Sequence, residues 1–154
     1  SMLPVGQSFM QAAQTAWKLA CKQENRHFDL GKIDIRWRID GENVNSLDGP
    51  SMGLALAISF TQALRKSFVD EKVAITGKIL EDGTIQRVQK VTEKSKAALE
   101  RGTKILICPE NYADAERACD EKQIKPEERI LQAPTLSEAL PHAAGIIGGL
   151  SEYF

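Results

Sequence analysis

The hydrophobic period of this chain switches between helical and strand-like several times, and that interleaving limits the fold more than any single motif. From Gln7 to about Glu24, Phe9, Ala12, Ala13, Ala16, Trp17 and Ala20 recur at three- and four-residue spacing, which predicts one apolar helix face. Lys32 to Ile39 alternates strictly. Ile33, Ile35, Trp37 and Ile39 point one way, and Lys32, Asp34, Arg36 and Arg38 the other, as in a half-buried strand. Asp40 to Gly49 reads as a loop, and a helix is predicted from Ser51 to about Lys66. Small residues early in that helix, Gly53, Ala55, Ala57 and Ser59, let it lie close to a neighbour. Val73–Leu80 and Thr84–Val88 are predicted strands joined around Glu81-Asp82-Gly83, where Asp-Gly favours a hairpin.

Further on, Thr92–Arg101 reads as a helix ended by Gly102, a residue suited to the position just past a helix. Lys104–Cys108 is an apolar strand stopped by Pro109. Ala113 to about Lys122 is helical, and Arg129–Gln132 is a strand. Thr135-Leu136-Ser137-Glu138 is a capping box that opens a last short helix. Helices alternating with strands around one hairpin predict an α/β or α+β fold, a single domain with a mixed sheet and flanking helices. We set that domain at residues 3–143 and read 144–154, with Gly145, Gly148 and Gly149, as a C-terminal tail or linker remnant.

Composition narrows the function classes. A chain of 154 residues buries roughly 70% of its unfolded surface, enough for one real core. Lys+Arg 20 against Asp+Glu 21 gives a net charge of −1, without the basic excess of a nucleic-acid module, so no nucleic-acid partner is expected. The sequence holds no apolar run long enough to span a bilayer and no signal-peptide pattern, so no membrane association is expected. Cys21, Cys108 and Cys119 form an odd set without C-x-x-C, which argues for free thiols in a reducing, cytoplasmic compartment and against a metal site. Ser1-Met2 has the look of a tag-cleavage remnant, which implies a piece of a longer protein.

The chemistry centres on Asp48-Gly49-Pro50-Ser51-Met52-Gly53. Serine is a weak nucleophile at neutral pH and needs a base for its proton and donors for the oxyanion. Ser51 sits where loop meets helix, beside unpaired backbone N–H groups, with Gly49 and Gly53 allowing backbone to approach a substrate closely. The histidines, His27 and His142, stand at no motif position, so a Ser-His-Asp arrangement is weakly supported. Lys94, in the first turn of a later helix, is the better candidate base. It must act as the neutral amine. Lowering its pKa from about 10.4 to about 7.4 costs about 4 kcal/mol, which burial and the positive end of a helix would help to supply. Read alone, Glu93-Lys94-Ser95-Lys96 is an ordinary solvated helix face.

The joint pattern resembles the proteolytic domain of Lon proteases. Asp48-Gly49-Pro50-Ser51-Met52-Gly53 is similar to its D-G-P-S-A-G nucleophile motif, and Val73-Ala74-Ile75-Thr76-Gly77-Lys78-Ile79 to its V-A-M-T-G-E-I. Gly83 falls on the family's hairpin glycine and Glu93-Lys94 on the E-K that holds its base, at the family's distance from the serine. Ile105-Leu106-Ile107-Cys108-Pro109-Glu110-Asn111 resembles V-L-I-P-x-E-N. The resemblance covers roughly Val5 to Ala143. It implies a serine endopeptidase with a Ser51–Lys94 dyad that cuts unfolded proteins or peptides, and a homo-oligomer, a hexameric ring in the full-length protein. It also implies that Asp48 shapes the nucleophile loop. Thr76 either orients Lys94 or is a plain β-branched strand residue.

The departures are specific. Lys78 replaces the family's glutamate, Gln89 and Lys90 replace two glycines, and Arg36 and Arg38 replace two histidines. Arg36, Arg38 and Lys78 either favour acidic side chains in the substrate or are solvated strand charges. No G-x-x-x-x-G-K-[ST] loop is present, since Lys72 stands where the first glycine would be. The domain therefore needs no cofactor and no metal of its own, and ATP would act only through a separate ATPase domain. The alternative is a Lon-like fold kept as a non-catalytic assembly or binding module.

Overall fold

The computed structural model describes residues 6–26 and 49–145. The predicted strand Lys32–Ile39, with Arg36 and Arg38, lies outside the described residues, as do His27, Asp48 and residues 146–154. The fold is mixed helix and sheet. Helix α1, Gln7–Gln23, buries Phe9, Ala16, Trp17, Leu19 and Ala20. Helix α2, Gly53–Leu64, is apolar around most of its circumference and is buried accordingly. The two pack together, with Trp17 edge-on to Phe60 at 5.6 Å between ring centroids. Thr61 and Gln62 are buried in α2 and each directs a donor to a backbone carbonyl, while Gln62 Oε1 is left without a partner among the described residues. Thr61 Oγ1 donates to the carbonyl of Ala57 at 2.7 Å, and Gln62 Nε2 donates to the carbonyl of Phe68 at 2.9 Å.

Between Val73 and Leu80 the structure departs from the predicted single strand. Strand β1 is Phe68–Val69, β2 is Val73–Ile75 and β3 is Lys78–Ile79, with a break at Thr76-Gly77. The reason lies in the backbone bonds. The Thr76 N–H still reaches the carbonyl of Leu106 at 3.2 Å, but Gly77 turns away from the sheet. Its N–H donates to the Ser51 carbonyl (3.1 Å) and its own carbonyl accepts from the Leu54 N–H (3.0 Å). A ladder bond is exchanged for a clasp on the segment ahead of α2. Beyond the break, β3 pairs antiparallel with β4, Ile85–Gln86, through the expected hairpin. Gly83 has φ +90°, and the Thr84 N–H is held by Asp82 Oδ1 at 2.9 Å.

Helix α3 spans Val91–Glu100, β5 Lys104–Ile107, and α4 Tyr112–Glu121. A short helix that the sequence reading did not include, α5 at Pro126–Arg129, leads into β6, Ile130–Gln132; helix α6 is Leu136–Ala143. The Glu138 N–H donates to Thr135 Oγ1 at 3.3 Å, as the capping pattern predicts. Strands β2, β5 and β6 form a parallel sheet in the order β2-β5-β6. Alternation along β5 divides the interior. Leu106 and Cys108 belong to one core with α1, α2, the hairpin and α6, whereas Ile105 and Ile107 belong to a second with α3 and α4. Ala144–Gly145, read as the start of a tail, is strand β7, paired with β1 at Val69↔Ala144 and Phe68↔Gly145. Among the described residues no helix is long and apolar enough to cross a membrane.

Candidate active site

The nucleophile segment is a tight turn and not the start of an α-helix. Gly49 has φ +118° and ψ 153°, a conformation that L side chains rarely adopt, and a Cβ there would meet nothing within 4 Å. Gly49 is thus needed for its backbone freedom and not for space. Pro50 then opens a 3₁₀ turn, Pro50–Met52, and α2 follows at Gly53. Ser51 is half-buried at the centre of that turn. Gly53 is not open to a substrate. It is buried against β3, where a Cβ would stand 3.0 Å from Ile79 Cγ2 and 3.2 Å from the Ile79 nitrogen. Its small size serves packing.

The base segment is set by different means. Asn111 is buried and aims its amide at the backbone of Val88. Its Oδ1 accepts from the Val88 N–H at 2.9 Å and its Nδ2 donates to the Val88 carbonyl at 3.0 Å. Nδ2 also donates to Asp114 Oδ2 at 3.0 Å, and the Cys108 thiol donates to Oδ1 at 3.4 Å. Burial pushes that thiol's pKa up, so it stays protonated and able to donate. The side chain acts as a piece of strand that pins the chain just ahead of α3. Thr92 Oγ1 donates to the Asp114 carbonyl at 3.2 Å and ties the first turn of α3 to α4.

Lys94 lies in that first turn, and its Nζ reaches Thr76 Oγ1 at 3.5 Å. The residue as a whole is exposed, yet partial loss of water around the ammonium holds its pKa below the usual lysine value. The positive charge of Lys90 is a second, smaller cause. Thr76 therefore contacts the candidate base, and its neighbour Gly77 clasps the candidate nucleophile's turn. Among the described residues Ser51 Oγ carries no hydrogen bond to Lys94. His142 is exposed near the end of α6.

Beside Pro50 a groove of about 350 Å³ runs between the polar face of α1 and β3, with Ser8, Gln11 and Thr15 on one wall and Lys78 and Glu81 on the other. Lys78 shares that wall with a carboxylate, so the groove has no single sign of charge. Two contributors to the site went unassigned in the sequence reading. Asn111 is marked by its place at the end of the segment that resembles V-L-I-P-x-E-N, which assigns it no role. Gly77 is marked by a glycine inside a strand pattern, which is a sign of close backbone approach.

Residues 5–144 match the Lon protease (S16) C-terminal proteolytic domain. The chain is 30% identical over 141 residues to a Lon protease of Neorickettsia sennetsu, an alignment covering 88% of this chain and 17% of that protein. It is 34% identical over 113 residues to a Lon protease of Lachnoclostridium phytofermentans, covering 73% of this chain and 14% of the relative. With a mitochondrial Lon protease homolog of Saccharomyces cerevisiae it shares 34% over 98 residues, 63% of this chain and 8% of the relative. The chain thus spans less than a fifth of the length of these relatives.

Proposed function

Since the chain belongs to the Lon protease C-terminal proteolytic domain family, we propose that it is a serine endopeptidase acting on unfolded proteins or peptides through Ser51 and Lys94. The observation that carries this reading is the pair of contacts at the end of β2. Thr76 meets the Lys94 ammonium and Gly77 holds the Ser51 carbonyl, so base and nucleophile turn are tied to adjacent residues. Neutral Lys94 takes the proton of Ser51 Oγ as the oxygen attacks the peptide carbonyl. The protonated lysine then gives that proton to the leaving amine as the C–N bond breaks, leaving an acyl-enzyme. Lys94 next deprotonates a water that attacks the ester, and the proton returns to Ser51. Thr76 orients the amine through its hydroxyl, and Gly49 gives the nucleophile turn its backbone shape. A dyad without a direct hydrogen bond in the free protein is compatible with this chemistry, because such contacts tighten when substrate binds.

The test is hydrolysis of an unfolded protein, together with labelling by a fluorophosphonate. Ser51→Ala and Lys94→Ala each lower hydrolysis by about 10³-fold or more, and the double variant is no worse than either, because the pair acts as a unit. Full activity in Lys94→Ala sinks the dyad. A native protein inert at high concentration, in its full-length form, favours the non-catalytic module.

The relatives are several times longer than this chain, and energy-dependent unfolding, if any, would come from an ATPase domain elsewhere in the protein or on a partner. A homo-oligomeric ring would confine an otherwise unselective peptidase to chains fed into it. Light scattering on the full-length protein tests this, and a strict monomer overturns it. Cys21, Cys108 and Cys119 are free, which suits a reducing compartment such as the cytoplasm.

A further inference from the structure

Among the described residues, four that are not glycine have positive φ: Asn25, Lys66, Lys90 and Gln123. Three share one role. Asn25 follows α1, Lys66 follows α2 and Gln123 follows α4, each in the turn that closes a helix. In each case the next residue's N–H returns to the last helical turn: Arg26 to Cys21 (2.9 Å), Ser67 to Gln62 (2.8 Å) and Ile124 to Cys119 (2.9 Å). Lys90 is the exception. It stands at the other end of a helix, immediately before α3, with φ 61° and ψ 28° and no side-chain capping bond.

Three local costs meet at this position. A left-handed conformation is paid by a residue with a Cβ, where glycine would be free of strain. A cation sits at the positive end of the helix dipole. A like charge, Lys94, lies four residues on along the same helix face, its N–H bonded to the Lys90 carbonyl at 3.1 Å. A residue choice that costs at every local level points to a function, and the positive end of the helix and the charge of Lys90 both disfavour a proton on Lys94.

We propose that Lys90 is a positioning residue for the reaction, whose charge, one helical turn from Lys94, biases that lysine toward the neutral amine; the proposal rests on the Ser51–Lys94 reading. The surroundings leave it that role. Just past the end of β2, the neutral hydroxyl of Thr76 lies 3.5 Å from Lys94 Nζ. Of the acids on α4, Asp114 is engaged by Asn111 and Glu121 by Lys96, and Glu100 on α3 is engaged by Lys122; Glu93 on α3 and Glu116 and Asp120 on α4 form no ion pair with Lys94 among the described residues. Among the described residues, Lys90 is the charge that acts on Lys94 after the loss of water.

The experiment compares Lys90→Met, Lys90→Glu and Lys90→Arg in the otherwise native protein. Two quantities are followed: the ionisation of Lys94 by NMR of ¹³C-labelled lysine, assigned with Lys94→Arg, and the pH dependence of Ser51 labelling by a fluorophosphonate. Lys90→Met moves the Lys94 titration upward by roughly 0.2–0.4 pH unit and slows labelling about twofold below that pH. Lys90→Glu does about twice as much on the pH scale, Lys90→Arg leaves both where they were, and 1 M salt erases the differences. The proposal is overturned if Met and Glu leave the Lys94 titration unmoved, or if Arg moves it as far as Met does. A titration that moves while the labelling profile stays fixed sinks the dyad reading, and the positioning role of Lys90 with it. An unmoved titration together with inactive Lys94→Ala leaves the dyad standing and removes Lys90 alone.

Discussion

The candidate nucleophile and the candidate base are carried by two cores that are built differently. On the Ser51 side, α2 is seated by the absence of side chains. Gly53 lies against Ile79, and Gly77 lies against Leu54 and Ile85, where a Cβ would come within 2.8 Å of Ile85 Cγ2. On the Lys94 side, α3 is seated by polar groups. Asn111 binds both backbone groups of Val88, Thr92 binds the Asp114 carbonyl, and Arg129 donates through Nη2 to the Thr103 carbonyl at 2.6 Å. Close packing sets a position by excluding alternatives on every side, but it tolerates no added volume. A buried polar clamp sets a position by direction, and it is costly to break because its partners are left unpaired. The parallel sheet stands between the two cores, and the end of β2 is where they meet.

That contrast is broken most directly at Asn111 and Gly77 together. Asn111→Ala orphans a buried N–H and a buried carbonyl on Val88 and is expected to cost about 2–4 kcal/mol. Gly77→Ala overfills the space between Leu54 and Ile85 and is expected to cost about 1–3 kcal/mol. Denaturant unfolding measures both. Peptide hydrolysis by whatever fraction remains folded then sharpens the comparison. Asn111→Ala should disturb α3 and slow the lysine-dependent step, and Gly77→Ala should displace the Ser51 turn. Equal losses of less than about 0.5 kcal/mol would mean that neither device holds its helix.

A smaller effect separates the two sides by pH. Lys94 has a folded-state pKa below its unfolded value, because burial and Lys90 disfavour its charge. Between the folded and unfolded values the unfolded chain binds more protons, so this group's contribution to stability improves as pH rises through that window. It is unfavourable at lower pH. Activity should rise over the same limb as the neutral base forms. Lys94→Met should flatten the stability limb and abolish the activity limb, while Ser51→Ala abolishes activity and leaves the stability limb in place. A stability limb unchanged in Lys94→Met would assign the titration to another group.

Much of this was legible in the chain because it is local. Helical spacing of apolar residues marks α1, and Asp82-Gly83 marks the hairpin through the turn that an Asp-Gly pair prefers. Gly102, with φ +78°, ends α3 where a glycine was expected to end it. Ser51 and Lys94 stood out in the sequence as candidates, from the residues around them and from the resemblance of the joint pattern. The contact that Thr76 makes with Lys94 was one of two readings left open, and no local pattern decides between them.

What tertiary structure decided has its cause far along the chain. The strand from Val73 stops at Thr76-Gly77 because Ser51 and Leu54 take the backbone bonds that a continued ladder would have used. Ala144–Gly145 is a strand because Phe68–Val69 lies alongside it, a pairing for which neither segment carries a signal of its own. Asn111 looks like any polar residue near a helix start until the fold buries it against Val88. Lys90 looks like one more surface lysine until its backbone is seen to be left-handed at the wrong end of a helix. Periodicity and turn chemistry act over a few residues, so the sequence by itself determined most of the elements and marked Ser51 and Lys94 as the candidate pair. Parallel pairing, the division into two cores and the devices that seat each helix depend on contacts between distant residues, and only the folded chain brings those together.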